Sequence, residues 1–142
     1  MSLLQRARLG ALLGIAAILL WAMLAPLRYP TRERMFVYPR GAAPGQVPAD
    51  VSLTLGVRDV LLLYNRDTVP HVFGQVLVLP GRMFRLPFEQ AGDYAYACDV
   101  ARGHAVTVRV GEHPDPGWDR LGWRLRALAE AVRTLPVQAP DD

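Results

Sequence analysis

The first pattern along the chain is an apolar run, residues 9–27, that contains no charged side chain. A helix rises about 1.5 Å per residue, so these residues extend for about 28 Å, close to the hydrocarbon thickness of a bilayer. Arg6 and Arg8 precede the run and Trp21 lies near its far end, as interfacial anchors do. The pattern predicts one transmembrane helix within residues 1–28.

A cleaved signal peptide is the competing interpretation of the same segment. Ala22 and Ala25 offer the small residues that signal peptidase prefers, but Pro26 directly follows the would-be cleavage site. The apolar run is also longer than the usual core of a signal peptide. These features favour a helix that is retained as an anchor.

The next segment, residues 29–50, changes in composition. Tyr29, Phe36 and Tyr38 fall among arginines, a mixture suited to the headgroup zone of a membrane. From Pro39 to Asp50 there are three prolines and two glycines, which disfavour both a helix and a central strand. We therefore expect a juxtamembrane collar that continues into an extended linker.

Residues 51–111 alternate between apolar and polar positions in short segments, which indicates β-strands. Turn residues interrupt the pattern every eight to twelve positions or so, as in β-sandwiches. A helix is disfavoured because no 3.6-residue period continues across the prolines and glycines. The predicted strands lie at 51–55, 57–64, 72–79, 84–88, 94–98 and 105–110.

The last segment, residues 112–142, has helical periodicity. Asp115 is placed to cap a helix with Pro116 in its first turn, and Pro136 is placed to end it. An apolar stripe recurs at steps of three and four, with most arginines away from it, which predicts an amphipathic helix. The stripe has three possible partners: the β domain, another protein or the bilayer surface. The stripe comprises Trp118, Leu121, Leu125, Leu128, Val132 and Leu135.

Composition excludes several classes of function. The net charge is +3, but the arginines are scattered and form no basic and aromatic surface for nucleic acid. The only serines are Ser2 and Ser52, and no phosphate-binding loop or catalytic motif occurs. Cys98 is the only cysteine, so an intrachain disulfide is impossible. We expect neither an enzyme nor a binder of small-molecule substrates.

One set of motifs resembles a known family. The turn Asn65-Arg66-Asp67 precedes His71, and Pro80-Gly81 follows; a Tyr-x-Tyr strand then ends at Cys98, before a valine-rich strand. Over residues 51–110 this order is similar to that of the cupredoxins. The resemblance implies a mainly β fold, a cupredoxin-like Greek-key β-sandwich, here with an N-terminal transmembrane helix and a C-terminal amphipathic helix. It also implies that His71 and Cys98 are copper ligands.

The chain departs from the family where the second imidazole ligand is expected, because no histidine occupies the five positions after Cys98. His104 is the next histidine. Two interpretations stay open: His71, Cys98 and His104 form a rebuilt copper site, or the sandwich persists without its metal. A blue-copper site needs a thiolate and two imidazoles, whereas Arg102 in this loop disfavours a cation.

The leading functional hypothesis is a non-enzymatic accessory subunit that docks on a larger respiratory or photosynthetic electron-transfer complex in a bacterial inner membrane. Its partners are then the lipid bilayer and the subunits of that complex. Arginines lie on both sides of the span and do not set its orientation. The expected orientation, with a cytoplasmic N-terminus and a periplasmic β domain, is therefore what the resemblance implies. The alternatives are a tethered one-electron copper carrier and, more remotely, a copper-delivery factor.

Overall fold

The computed structural model describes residues 2–134, which form two compact units. One unit contains the described residues up to Pro26 together with those from Pro114 onward, and the other spans Leu27–His113.

The first unit consists of two helices. Helix α1, Leu3–Leu24, is capped at its N-terminus by Ser2, whose hydroxyl accepts a hydrogen bond from the Gln5 amide at 3.3 Å. Every residue from position 3 to position 21 is exposed. Helix α1 is long and apolar enough to cross a bilayer, a criterion that a signal sequence also meets.

Helix α2 spans Trp118–Arg133, which confirms a C-terminal helix. Its N-terminal cap is Gly117 and no side chain caps it, so the predicted capping role of Asp115 is wrong. The helix begins two residues later than the Asp115-Pro116 pattern suggested, because residues 116 and 117 form a turn. The predicted contributions of Leu135 and Pro136 lie outside the described residues.

The second unit is a two-layer arrangement of β-strands. In one sheet β3 (Val60–Asn65) lies between β1 (Glu33–Tyr38), its parallel partner, and β6 (Met83–Pro87), its antiparallel partner. In the other sheet β8 (Ala105–Gly111) lies between parallel β2 (Asp50–Thr54) and antiparallel β7 (Gly92–Ala97). Strands β4 (His71–Phe73) and β5 (Val76–Val78) form a separate hairpin.

The hydrophobic core lies between the two three-stranded sheets. Alternation selects its residues: on β8, Val106, Val108 and Val110 are buried while their neighbours are exposed or half-buried. Phe36 and Tyr38 on β1 and Val51 on β2 join the same cluster. The mainly β class is therefore confirmed. The Greek-key connectivity remains a prediction.

Residues 29–50 do not form the expected collar and linker. Phe36 and Tyr38 are buried strand residues, and Val47 lies in the core. The Gly45 amide donates to the Val100 carbonyl at 3.1 Å, which ties the proline-rich segment to the β unit. A mixture of aromatic residues and arginines is found both at membrane interfaces and on strands at the edge of a sheet. The two cases differ in strand pairing, which the local sequence does not show.

The predicted strand 72–79 is two strands. Gly74, with φ of +60°, and Gln75 form a two-residue loop between β4 and β5. Glycine at the first loop position is what type II′ hairpin turns favour. The apolar run continues across this loop, which is why alternation alone did not show it.

Candidate functional site

A buried polar network lies where the Asn65–Asp67 turn, β4 and the loop after β7 meet. Asn65 is fully buried, and its side-chain nitrogen donates to the Val69 and Val78 carbonyls, both at 2.8 Å. Its side-chain oxygen accepts from the Asp67 amide at 2.8 Å. The turn is thus held by its own asparagine, which positions Asp67 for the contacts that follow.

Asp67 is a buried carboxylate surrounded by donors. Its Oδ1 accepts from the Gly41 amide at 2.9 Å and from the Thr68 amide at 2.7 Å, and its Oδ2 accepts from the Ala42 amide at 3.3 Å. These backbone hydrogen bonds, with that of His71, hold the pKa of Asp67 well below its ordinary 3.8. Asp67 is therefore ionised at neutral pH.

His71 lies between two carboxylates. Its Nε2 is 2.8 Å from Oδ2 of Asp67, and its Nδ1 is 2.8 Å from Oδ2 of Asp99. An ionised carboxylate can only accept, so both ring nitrogens can donate at the same time only when the imidazole is protonated. Burial lowers the pKa of His71, but the hydrogen bonds and charges of Asp67 and Asp99 outweigh it and raise this pKa above 6.5.

Tyr38 connects this ion pair to Cys98. Its ring stacks on the His71 imidazole with centroids 4.7 Å apart and planes 3° from parallel. Its hydroxyl lies 3.7 Å from Sγ of the buried Cys98 and donates to the Val72 carbonyl at 3.4 Å. Burial, followed by the neighbouring Cys98 and Asp99, raises the pKa of Tyr38, which keeps the phenol neutral. Tyr38 therefore lies beside two of the three predicted ligands, His71 and Cys98.

His104 does not join the other two predicted ligands in this network. It is exposed and has φ of +56°, directly after Gly103 with φ of +73°. Its carbonyl accepts from the Cys98 amide at 3.0 Å, and its amide donates to the Ala101 carbonyl at 2.9 Å. The backbone of His104 thus closes the turn that leads from Cys98 into β8.

The arrangement does not fit copper. A copper-binding imidazole offers an unprotonated nitrogen, whereas both nitrogens of His71 are engaged by carboxylates. Within residues 2–134 no three His, Cys, Asp or Glu side chains are grouped to hold a metal ion. The geometry supports a hydrogen-bonded structural network instead, in which His71 faces two carboxylates where the family resemblance implied a metal.

Sequence reasoning missed three residues of the network. The sequence pattern assigns Tyr38 to the headgroup zone, gives Asp67 a role in the turn alone, and gives Asp99 no role. A signal for the two acids was present, because each lies close in sequence to a predicted ligand: Asp67 four positions before His71, and Asp99 next to Cys98. No local pattern distinguished the buried Tyr38 from an interfacial tyrosine.

Among solved structures the chain is similar to cupredoxins. A purple cupredoxin from Nitrosopumilus maritimus shares 22% identity at a TM-score of 0.44, with 54% of this chain and 98% of that one covered. A mutant of amicyanin in the Cu(I) state shares 17% at a TM-score of 0.43, with coverages of 58% and 85%.

Neither the protein-family models nor the curated protein sequences that were compared with the chain match it.

Proposed function

We propose that the chain is a membrane-tethered, non-enzymatic accessory subunit of a larger electron-transfer complex. The contacts of His71 with Asp67 and Asp99 favour an accessory subunit over an electron carrier. A carrier of the blue-copper type needs imidazole lone pairs directed at a metal, and in this chain both nitrogens of His71 face carboxylates at 2.8 Å. The β unit then acts as a rigid, metal-independent module.

The tether in this proposal is α1. Its residues from position 9 to position 21 are all exposed and carry no charge, which is costly in water and favourable in hydrocarbon. Retention of the helix, a cytoplasmic N-terminus and a periplasmic β unit in a bacterial inner membrane complete the proposed arrangement. The class of complex, respiratory or photosynthetic, rests on the sequence resemblance to cupredoxins.

The proposed docking surface is the outer face of the β4–β5 hairpin, called here the hairpin face. Val72 and Leu77 are directly opposed in the strand register, and Val69 and Leu79 lie just outside the two strands. These four side chains are between 40% and 58% exposed. Exposed apolar side chains on and beside one hairpin, next to a buried polar network, suit a protein partner.

The tether is tested in membranes that express the tagged full chain. Alkaline carbonate washing should leave the chain in the membrane pellet, and protease added to right-side-out spheroplasts should cut the β unit. Release by carbonate, or a shortened chain that starts near Pro26, would establish the signal-peptide alternative instead.

Docking is tested by native gel electrophoresis of the same membranes after mild detergent extraction. The chain should migrate with a large complex that contains redox subunits, and Val72→Asp with Leu77→Asp should return it to its monomeric position. Ser52→Asp is the control for the effect of an added carboxylate, because it places one at an exposed position of β2. Monomeric migration of the unaltered chain would reject the accessory role.

A further inference from the structure

Helix α2 is hydrogen-bonded to the end of α1 through its N-terminal cap and its first two turns. The Gly117 amide donates to the Met23 carbonyl at 2.9 Å, and Arg120 Nη1 donates to the Leu24 carbonyl at 3.1 Å and to the Ala25 carbonyl at 3.2 Å. The acceptors belong to the last turn of α1 and to the residue that follows it.

Arg124 strengthens the same attachment. Its Nε donates to the Ala22 carbonyl at 3.0 Å, its Nη2 donates to the Ala25 carbonyl at 2.9 Å, and its guanidinium lies 5.1 Å from the centroid of the Trp21 ring. The final carbonyls of a helix have no partner within the helix and carry its negative partial charge. The two arginines supply both the donors and the charge that this end of α1 lacks.

The attachment fixes the depth of α2 relative to α1. Only Ala22, Met23 and Ala25 at the end of α1 are partly covered, and residues 3–21 are exposed. Helix α2 therefore does not run alongside the span but meets it at its last turn. Where α1 crosses the bilayer, as proposed above, this turn and Trp21 lie at the boundary between acyl chains and headgroups.

At that depth α2 presents an apolar face that is separate from its arginine contacts. Trp118, Leu125, Leu128 and Val132 lie on one face at helical spacing and are 59% to 78% exposed. On a 100° wheel the charges of Asp119, Arg126 and Arg133 fall on a different side from both the apolar face and the two capping arginines. The helix thus has a capping side, an apolar side and a charged side.

We propose that the apolar face of α2 inserts into the interfacial layer of the bilayer leaflet in which α1 ends. This inference rests on the proposed anchoring of α1. The partner of this apolar face is lipid, because the hydrogen bonds from Arg120 and Arg124 hold α2 beside the acyl chains that surround the end of α1. An amphipathic helix in this position buries its apolar side about 5–10 Å into the leaflet while its charged side meets headgroups and water.

The experiment measures the depth of single tryptophans in the full chain. The chain is reconstituted in vesicles of three parts phosphatidylcholine to one part phosphatidylglycerol, with bromine placed near the top or near the end of the acyl chains. Trp21→Phe with Trp123→Phe leaves Trp118 as the reporter on α2, whereas Trp118→Phe with Trp123→Phe leaves Trp21 as the reporter on α1.

Lipids brominated near the headgroups should quench Trp118 about twice as strongly as those brominated near the chain ends. Quenching of Trp21 without quenching of Trp118 would overturn the inference and leave the anchor in place, as would a Trp118 emission that shifts only with protein concentration, the sign of a second copy. Absence of Trp21 quenching would remove the anchor and the inference together.

Two aspartate substitutions, one on the apolar side of α2 and one on its charged side, separate insertion from mere attachment. Leu128→Asp introduces a charge on the apolar face and should reduce the quenching of Trp118 at least about twofold while that of Trp21 is unchanged. Arg126→Asp introduces the same side chain on the charged side and should leave both signals unchanged. Equal effects of the two variants on Trp118 would contradict an inserted apolar face.

Discussion

At the scale of single residues, the protonated His71 is held more firmly by Asp67 than by Asp99. Asp67 is buried and accepts from three backbone amides besides His71. The Asp99 side chain is 44% exposed, and the Val72 amide, at 3.3 Å, is its described backbone donor. Water can therefore replace Asp99 more readily than Asp67.

Asp67→Asn should lower the midpoint of thermal unfolding by about 10 °C. The neutral Asn side chain accepts hydrogen bonds from the surrounding backbone amides more weakly than a carboxylate does, and it leaves His71 without its buried negative partner. Asp99→Asn should lower it by only a few degrees, on the order of 3 °C. Near-UV circular dichroism of the full chain in detergent measures both. Equal losses would show that burial does not distinguish the two carboxylates.

The same network sets a pH dependence. The raised pKa of His71 gives a stabilisation that is complete below the unfolded value of 6.5 and is lost as the pH rises through the folded pKa. The lowered pKa of Asp67 gives a stabilisation that is present above 3.8 and is lost as the pH falls through the folded pKa. The free energy of unfolding should therefore be greatest between about pH 4 and 6.5.

Urea unfolding at a series of pH values checks this expectation. His71→Gln should remove the decline on the alkaline side and leave the decline on the acid side. The acid side has a second contributor in the buried Asp59, whose pKa is raised by burial but lowered overall by Arg32 and by the Gly56 amide. An alkaline decline that persists in His71→Gln would assign it to another group.

At the scale of elements, the β4–β5 hairpin depends on the glycine at its tip. Gly74 has φ of +60°, its amide donates to the Ala97 carbonyl at 2.7 Å, and an added Cβ would lie 2.7 Å from Cδ1 of Tyr96. Gly81 has a similar φ of +72°, but an added Cβ there meets nothing within 4 Å. An alanine at either position would have the same unfavourable positive φ, but only at position 74 would its Cβ collide with Tyr96.

Gly81→Ala should therefore cost about 1 kcal/mol of unfolding free energy, the price of a left-handed alanine. Gly74→Ala should cost about 2–4 kcal/mol, because the displacement of Tyr96 is added to the same strain. Chemical denaturation of the two variants measures the difference. Similar losses would mean that Tyr96 moves aside without cost.

At the scale of the whole molecule, we expect the β unit to fold without copper, because both nitrogens of His71 are engaged by carboxylates. One equivalent of Cu(II), added to the full chain in detergent, should produce no intense visible band of a copper–thiolate centre and no rise in melting temperature. His104→Gly should leave both results unchanged, since the backbone of His104 already has a glycine-like conformation. An intense band that disappears in Cys98→Ser and in His104→Gly would restore the carrier hypothesis.

Both helices and most of the strands could be predicted from the local pattern of apolar and polar residues. The apolar run became α1, the stripe beginning at Trp118 became α2, and the valine alternation before Gly111 became β8. Each of these segments repeats its burial with the period of its own secondary structure, so a short window contains enough information. The positions of Tyr38 and of the Gly74 turn were not predictable in this way, because both depend on contacts distant in sequence.

The sequence by itself determined both helices and most of the strands, though not β1, and it placed His71 and Cys98 in one β unit, because periodicity and turn residues are local properties. Only the tertiary structure decided what those residues do. Parallel pairing of β1 with β3 brought Tyr38 into the core beside His71, and the turn before β4 and the loop after β7 placed a carboxylate on each ring nitrogen. The charge state of a buried histidine is set by the groups that fold around it, and residues 28 positions apart in the chain become neighbours only there.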